Sequence, residues 1–226
     1  MKNHLKRIAA PKSWIINRRE KKYIVRPSPS GHALGMGLPL GLILRDFLKL
    51  ASTMNEVKKM LRHKEVQVDG IRRFDYSFMV GLFDVIAIPA LGKAYRIVFD
   101  TKGRVVPVEA GADQNVKLCK IIGKTVLRGK KIQYHLHDGK NLVLTHTAKV
   151  GDSLKLGLPK LDVQEILPLQ VGANVFLTQG KHRGDIGVLA GVKGSEATYT
   201  VDGSEIETAK EYLFVIGGKK SAITIR

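Results

Sequence analysis

The sequence has little of what marks secreted, disulfide-linked or membrane-spanning chains. Its 226 residues include one cysteine, Cys119, which excludes a disulfide within the chain and removes the usual argument for secretion. The longest apolar stretch, around residues 37–44, is far shorter than the roughly 18 residues that a membrane span requires. No secretory signal pattern follows the basic start. These absences predict a cytoplasmic protein in which Cys119 packs as a small apolar side chain.

Acidic residues are also scarce relative to basic ones. The chain has 20 Asp and Glu against 38 Lys and Arg, a formal net charge of +18. That excess is larger than solubility needs and is typical of a protein that binds a polyanion. Residues 1–36 alone hold nine basic side chains and one acidic side chain, and residues 91–168 hold fourteen and seven. The charge therefore predicts a nucleic-acid partner and a leading basic arm.

The basic arm, residues 1–36, is expected to be irregular. Its prolines interrupt any helix, and no helical or strand period is sustained before Leu38. A segment of this composition buries little apolar surface by itself, so residues 1 to about 30 are predicted to be mobile in the free protein and ordered when the partner is bound. The single tryptophan, Trp14, is expected to pack on the protein rather than to stack on a base.

Two helices are predicted after the arm. Apolar residues recur at helical spacing on one face of the first helix, at Leu40, Ile43, Leu44, Phe47, Leu48 and Ala51. Thr53-Met54-Asn55-Glu56 has the form of a capping box, in which Thr53 and Glu56 each accept the other's backbone N–H. A second helix is therefore predicted from about Met54 to Arg62, with basic side chains beside its apolar side that continue to Lys64.

A hairpin and a longer strand follow the second helix. Val66-Gln67-Val68 alternates with period two and leads into Asp69-Gly70, a strong signal for a two-residue hairpin turn. Residues 80–88 are apolar apart from Asp84, which predicts one further strand.

Glycines recur in the stretch Gly180-Lys181-His182-Arg183-Gly184-Asp185-Ile186-Gly187, which lies between two strand-like runs. Because glycine accepts positive φ and lets another backbone approach closely, this spacing predicts a tight loop. Its tip is cationic, and Lys181 and Arg183 would suit a phosphate backbone. An ordinary hairpin with a solvated tip fits the pattern of the loop equally well.

The sequence of residues 91–168 predicts short strands in a small β-barrel or sandwich. It contains no catalytic pattern. Gly123-Lys124-Thr125 is similar to the end of a phosphate-binding loop, but Leu118 stands where that loop needs its first glycine. His135 and His137 would point the same way from a strand, and only His146 offers a third metal ligand, so solvated or phosphate-facing histidines are favoured. We expect no cofactor, no metal and no catalytic residues.

Several of these features resemble known RNA-binding modules. The helix pair, the Val-x-Val-Asp-Gly hairpin and Gly81-Leu82-Phe83-Asp84-Val85-Ile86-Ala87-Ile88 resemble the S-four domain, which clasps structured RNA along its second helix and hairpin. The glycine loop within residues 175–189 resembles the KOW motif of ribosomal and transcription-elongation proteins.

Three further stretches are similar to the archaeal and eukaryotic family of small-subunit ribosomal proteins called S-four-e. They are residues 4–14, Asp100-Thr101-Lys102-Gly103-Arg104 and Phe214-Val215-Ile216-Gly217. They occur in the order of that family and cover nearly the whole chain. The C-terminus at Arg226 is more similar to the archaeal form than to the longer eukaryotic form.

The resemblance implies an α+β, multidomain protein. It predicts a basic N-terminal arm at 1–36, an α/β S-four RNA-binding domain at 37–90, a central β-barrel-like domain at 91–168 and a C-terminal SH3-like KOW β-barrel at 169–226. The candidate RNA-binding residues are basic side chains of these modules: Lys2, Lys6, Arg7, Lys12, Arg18, Arg19, Lys21, Lys22, Arg45, Lys49, Lys58, Lys59, Arg62, His63, Lys64, Arg72, Arg73, Lys102, Arg104, Lys181, His182 and Arg183.

The expected function is that of a non-enzymatic structural component of the small ribosomal subunit, on ribosomes in the cytoplasm. Its expected partners are small-subunit ribosomal RNA and neighbouring ribosomal proteins, with no membrane and no small-molecule substrate. One alternative is an RNA-modifying enzyme with an S-four targeting domain, which would need a catalytic or cofactor-binding unit that residues 91–226 do not show. The other is a KOW-type transcription elongation factor, which would explain the glycine loop but not the helix pair and hairpin.

Overall fold

The computed structural model describes residues 4–63, 66–144, 147–201, 203–218 and 221–225. It divides into two compact units, the first made of residues 1–98 and 104–115 and the second of residues 99–103 and 116–226. No helix within the described ranges is long and apolar enough to cross a membrane. Antiparallel strands and a small helical part together make a mostly β, α+β protein.

The first unit contains the arm, the helices and three sheets. Its elements are β1 (Leu5–Lys6), β2 (Tyr23–Ile24), β3 (Gly37–Pro39), α1 (Leu40–Leu42) with a π-helical continuation (Ile43–Phe47), α2 (Met54–His63), β4 (Gln67–Val68), β5 (Ile71–Arg72), β6 (Met79–Gly81), β7 (Val85–Ile88), β8 (Lys93–Phe99) and β9 (Val105–Glu109). The sheets are β1-β2, β3-β6 and β5-β4-β7-β8-β9. The last sheet continues past residue 90, and the division into four domains stays a prediction.

The first helix is shorter than its apolar periodicity predicts. Its helical backbone runs from Leu40 to Phe47. Lys49 follows with a φ of 52°, a left-handed conformation that cannot continue the helix. Leu48 and Ala51, which the spacing places on the apolar face, therefore lie beyond the last turn.

The second helix begins and ends within one residue of its prediction, and its capping box is formed. The Glu56 N–H donates to Thr53 Oγ1 over 3.3 Å, while Glu56 Oε2 accepts the N–H groups of Ser52 at 2.8 Å and of Thr53 at 3.3 Å. The hydrogen bonds from Ser52 and Thr53 lower the pKa of Glu56. Val57 and Leu61 form the buried side of the helix.

The hairpin is confirmed, whereas the single strand predicted over residues 80–88 is wrong. Asp69 and Gly70 have φ of 53° and 75°, which is the positive-φ turn that joins two antiparallel strands. The apolar stretch after it is broken at Phe83, whose φ is 63°, and Asp84 accepts the Gly81 N–H over 2.8 Å. The chain therefore turns between β6, which pairs with β3, and β7, which pairs with β4 and β8.

The arm has more tertiary contacts than its composition predicts. Trp14 is 3% exposed, so the prediction that it packs on the protein is confirmed. Ser13 Oγ donates to the Gly35 carbonyl over 2.9 Å, and the Ser13 carbonyl accepts the Val105 N–H over 2.9 Å. These partners lie far along the chain from Ser13 and leave no local pattern in the sequence.

The second unit is built from two five-stranded antiparallel sheets, β12-β11-β10-β13-β14 and β18-β17-β16-β15-β19. Their strands are β10 (Val116–Val126), β11 (Ile132–Leu136), β12 (Asn141–Leu144), β13 (Ser153–Gly157), β14 (Asp162–Leu167), β15 (Asn174–Leu177), β16 (Ile186–Lys193), β17 (Glu196–Val201), β18 (Ser204–Ala209) and β19 (Leu213–Gly217). In the two units together, short 3-10 turns occur at Arg7–Ala9, Leu34–Met36, Pro89–Leu91, Gly111–Asn115, Arg128–Lys130 and Lys210–Tyr212.

The long strand β10 organises the first of these sheets. Its first half pairs with β13 and its second half with β11, with a register shift between Ile121 and Gly123. Cys119 lies in the core cluster beside Tyr134 and Leu154, so its predicted packing role is confirmed.

A buried ion pair lies in the same sheet region. Lys117 is fully buried, and its Nζ is 2.8 Å from Asp138 Oδ2. Burial by itself would raise the pKa of the Asp138 carboxyl, but the charge and hydrogen bond of Lys117, with the nearby charge of Lys140, hold that pKa well below its usual range. One of the basic residues of the central region therefore serves the interior rather than the surface.

Candidate RNA interface

Four predicted cations form one exposed surface on the first unit. Lys59, Arg62 and His63 are exposed on α2, and Arg72 is exposed on β5. Arg72 Nη2 donates to the Arg62 carbonyl over 3.2 Å, which holds the hairpin against the C-terminal end of α2. We call these four residues the helix–hairpin face. Grouped exposed cations of this kind can contact several phosphates of one RNA segment.

Two neighbouring cations are held over aromatic rings. Lys58 Nζ lies 4.7 Å from the centre of the Tyr76 ring, and Arg73 Cζ lies 4.2 Å from that of Phe78. Both cations are half-buried. A cation–π contact keeps the positive charge and fixes its direction, so these side chains border the helix–hairpin face in defined positions.

The cations that follow α1 differ in their surroundings. Arg45 Nη2 donates to Asp46 Oδ2 over 2.9 Å, and this bond raises the pKa of Arg45. Its charge is therefore compensated within the protein. Lys49 is exposed in its left-handed turn. Lys2 and Lys64, two further predicted RNA ligands, lie outside the described residues.

Two arginines of the arm point into the protein. The Arg18 guanidinium donates to four main-chain carbonyls over 2.8–3.2 Å, those of Arg7, Ile8, Ala10 and Pro11. Arg7 is 3% exposed, and its Nη1 donates to the Asn17 carbonyl over 2.7 Å. These two residues therefore hold the arm together. The exposed arm cations among the predicted ligands are Lys6, Lys12, Arg19, Lys21 and Lys22.

The glycine loop packs on a second stretch of the family resemblance. Gly184 is buried with a φ of 93°, and a Cβ at this position would overlap the Asp100 carbonyl oxygen. The loop backbone therefore lies directly against the turn that begins at Asp100. Lys102 on that turn and Lys181 on the loop are both exposed. The structure thus brings two sequence-distant basic segments together in the second unit.

Arg183 has a packing role beside this turn. Its Cζ lies 3.6 Å from the centre of the Phe99 ring, and burial lowers its pKa to about 10. His182 Nδ1 is 3.2 Å from Asp185 Oδ2, and Arg104 is half-buried. At the cationic tip predicted from the sequence, Lys181 is therefore exposed, whereas the side chains of His182 and Arg183 contact other groups of the protein.

The histidines of the central sheet have protein partners. His135 Nε2 lies 2.8 Å from Thr125 Oγ1, and its Nδ1 lies 2.7 Å from Asn141 Oδ1. His137 Nδ1 accepts the Lys120 N–H over 3.3 Å. His146 lies outside the described residues.

A contact that no sequence pattern predicted fastens the end of the arm to β6. His32 Nε2 is 3.2 Å from Asp84 Oδ2, and the His32 ring occupies the space where a Cβ on Gly81 would lie. A glycine inside an otherwise apolar strand is a known sign of close approach by another group. That signal was available in the sequence, but it did not say which residue approaches.

Comparison with known proteins shows the family to which the chain belongs. The chain is 41% identical to the small ribosomal subunit protein eS4 of Methanocella arvoryzae, over 98% of this chain and 97% of that protein. It is 43% identical to the eS4 protein of Archaeoglobus fulgidus, over 96% and 94%. The chain belongs to ribosomal family S4e. The model of that family matches residues 91–163, the S4 domain model matches residues 43–86, and the RS4NT (NUC023) domain model matches residues 1–34.

A solved S4e structure has a related fold. The crystal structure of the 30S ribosomal protein S4e from Thermoplasma acidophilum is 30% identical, with a TM-score of 0.69 over 81% of this chain and 95% of that chain. The helix–hairpin face lies within the residues that match the S4 domain, and the arm cations lie within those that match the RS4NT domain. The suspected resemblance to this family is therefore confirmed.

Proposed function

We propose that this S4e-family chain is a structural component of the small ribosomal subunit and binds small-subunit ribosomal RNA through several basic modules. The observation that carries the proposal is the helix–hairpin face, four exposed basic side chains within the part of the chain that matches the S4 domain. The relatives' names, small ribosomal subunit protein eS4, give the class of particle. Neighbouring ribosomal proteins are the proposed protein partners, and the ribosome in the cytoplasm is the proposed location.

The modules act together in this proposal. Four modules each contact RNA weakly: the arm, the S4 domain, the central β domain and a C-terminal KOW domain of SH3-like barrel type. Their boundaries are those predicted from the sequence. Because the modules are tethered, each later contact is effectively intramolecular. Phosphate contacts supply most of the affinity, and RNA shape supplies specificity, because side chains cannot readily read the deep groove of A-form RNA.

The salt dependence of RNA binding tests the helix–hairpin face. Each phosphate contact contributes about 0.7 to 0.9 to the slope of log K against log salt concentration. We therefore expect the double variant Lys59→Ala/Arg62→Ala to bind protein-free small-subunit RNA more weakly, with a slope reduced by about 1.4 to 1.8. Exposed helical cations contribute little to stability, so thermal unfolding of the variant is expected to stay close to that of the wild type.

The matched control removes the same charge elsewhere. Lys160 and Lys193 are exposed lysines of the second unit that belong to neither the helix–hairpin face nor the glycine loop. Lys160→Ala/Lys193→Ala is expected to change the slope less than the face variant does. Equal slopes for the two double variants would mean that net charge alone matters, and the helix–hairpin face would then be rejected as the binding surface.

A further inference from the structure

A groove of about 1000 Å³ lies within the first unit, between the arm and the S4 domain. The arm contributes His4, Lys21, residues 23–30 and His32, and the S4 domain contributes Arg45, Met54 and Tyr76, among others. None of the predicted RNA contacts on the helix–hairpin face lines it. The groove is therefore a second candidate site on the same unit.

The charge of the groove is one-sided. Among the described residues that line it, none is acidic, while Lys21 and Arg26 are exposed cations. Four carboxylates in the described part of the chain contact lining residues. Asp84 is 3.2 Å from His32 Nε2, and Asp75 accepts the Ser28 hydroxyl over 3.0 Å. Asp46 and Glu20 pair with the lining residues Arg45 and Arg7, so Lys21 and Arg26 are the cations of the groove on which the argument rests. A negatively charged ligand therefore meets cations at the groove wall.

Aromatic rings lie beside these cations. Tyr23 is 48% exposed, its ring centre is 5.3 Å from that of His4, and Lys22 Nζ is 5.4 Å away. Tyr76, with Lys58 over its ring, lines the S4 side of the groove. Aromatic rings interleaved with cations are the combination that binds unpaired nucleotides, by stacking on bases and neutralising phosphates.

The groove wall is held in place by main-chain contacts to the S4 domain. The Ser28 N–H donates to the Ser77 carbonyl over 2.8 Å, and the two hydroxyl oxygens are 2.7 Å apart. At the other end of this wall, His32 is fixed over Gly81 and beside Asp84. A site whose wall is already fastened loses less entropy when a ligand binds.

We propose that this groove binds an unpaired segment of single-stranded RNA, with Tyr23 stacking on a base and Lys21 and Arg26 contacting its phosphates. A duplex is disfavoured as occupant because its bases are already stacked inside the helix and cannot pack on an exposed ring. The inference rests on the proposed function, because it assumes that the chain binds RNA, and it adds the class of RNA recognised at this site.

Binding of two labelled RNAs to the full chain tests the proposal by fluorescence anisotropy. The probes are a uridine oligomer of about eight nucleotides and an RNA duplex of about 16 base pairs. We expect Tyr23→Ala to weaken oligomer binding by about 5- to 150-fold and to leave duplex binding unchanged. Tyr23→Phe keeps the ring and is expected to restore oligomer binding.

A variant without the groove cations distinguishes binding in the groove from the general attraction of a basic protein to RNA. Lys21→Ala/Arg26→Ala is expected to reduce the oligomer's salt slope by about 1.4, whereas Lys160→Ala/Lys193→Ala with the same change in charge is expected to reduce it less. Oligomer binding that is insensitive to Tyr23→Ala overturns the groove proposal. A chain that binds the duplex but not the oligomer also overturns it and leaves the proposed function intact, whereas failure to bind either RNA or small-subunit RNA rejects both.

The occupant in the particle can be identified by crosslinking. A photoreactive phenylalanine analogue at position 23 keeps an aromatic ring in the chain, which is then assembled into small subunits with small-subunit RNA and proteins. Crosslinks to an unpaired RNA segment are expected. Crosslinks to a ribosomal protein, or to paired RNA only, would assign the groove to another occupant and reject the proposal.

Discussion

At the residue scale, a charged side chain in this protein has one of two roles according to its partners. Lys59 and Arg62 are exposed on α2, whereas Lys117 is fully buried against Asp138. The same residue type can therefore face solvent or lie in the core. Burying a charge is tolerated only when the charge is paired, which makes the pair between Lys117 and Asp138 a sensitive point of the second unit.

Asp138→Asn should destabilise the protein by about 3 to 5 kcal/mol at neutral pH, because it leaves the Lys117 charge buried without a counter-charge. The pKa of Asp138 is lowered in the folded state, so its contribution to stability is present above the ordinary Asp pKa, near 4, and is lost as pH falls below it. Denaturant unfolding of wild type and variant, from neutral pH to well below about pH 4, measures the loss of stability in the variant and its dependence on pH. Wild type and variant should converge in acid; a constant difference at all pH values would contradict the assignment.

Gly184 tests the packing of the glycine loop. Alanine at this position would meet the Asp100 carbonyl oxygen, and the fixed turn leaves little room to relax. Gly180 is the matched control, because its φ of 86° is close to the 93° of Gly184, while the nearest atom to its Cβ position is 3.6 Å away on Tyr212.

Both alanine variants carry the cost of positive φ, about 1 to 2 kcal/mol. Gly184→Ala should lose a further 1 to 3 kcal/mol, roughly, from overpacking. Thermal and denaturant unfolding of the two variants gives the difference directly. Equal losses of unfolding free energy would show that the close approach to Asp100 is unimportant.

At the scale of elements, the arm is the part whose behaviour differs most from its composition. Its strands β1 and β2 pair with each other, and Arg18 ties together the carbonyls that surround the first 3-10 turn. Trp14, the single tryptophan of the chain, is buried and so reports on this packing. These contacts hold the described part of the arm against the first unit, and the mobility of the free arm stays a prediction that the next variant tests.

Arg18→Ala is expected to loosen the arm. It removes four hydrogen bonds to carbonyl groups, each worth about 1.5 to 3 kcal/mol when the donor is charged, although water compensates part of this loss. Acrylamide quenching of Trp14 fluorescence in the free protein should increase clearly. Arg19→Ala, an exposed neighbour, should leave quenching at the wild-type value. Strong quenching in the wild type itself would support the mobile arm instead.

At the scale of the whole molecule, the basic surfaces are distributed over both units. The helix–hairpin face and the groove belong to the first unit, and the exposed lysines Lys102 and Lys181 belong to the second. Distribution of weak sites over a tethered chain favours binding to one large RNA rather than to a small substrate.

The purified chain should bind small-subunit RNA and leave it chemically unchanged. We expect mass spectrometry of digested nucleosides to be identical before and after incubation, with and without S-adenosylmethionine or a nicotinamide cofactor. Binding of the same preparation is the positive control. A modified nucleoside produced with multiple turnovers would instead establish the RNA-modifying alternative.

Much of the S4 domain could be read from the sequence because its signals are local. The capping box of Thr53 and Glu56 and the turn at Asp69-Gly70 depend on groups within four residues of one another, and both form as predicted. The early end of the first helix and the break at Phe83 were missed. Both depend on positive φ at residues other than glycine, for which the sequence contains no strong signal.

The sequence by itself determined the basic character of the chain, its helix cap, its hairpin and its family. Only the tertiary structure decided which cations face solvent. Arg7, Arg18 and Arg183 belong to the same basic runs as exposed residues, yet they contact main-chain carbonyls or the Phe99 ring. The physical reason is that burial depends on partners distant in sequence. Composition and periodicity record charge and local conformation, but they do not record the distant group that a side chain meets after folding.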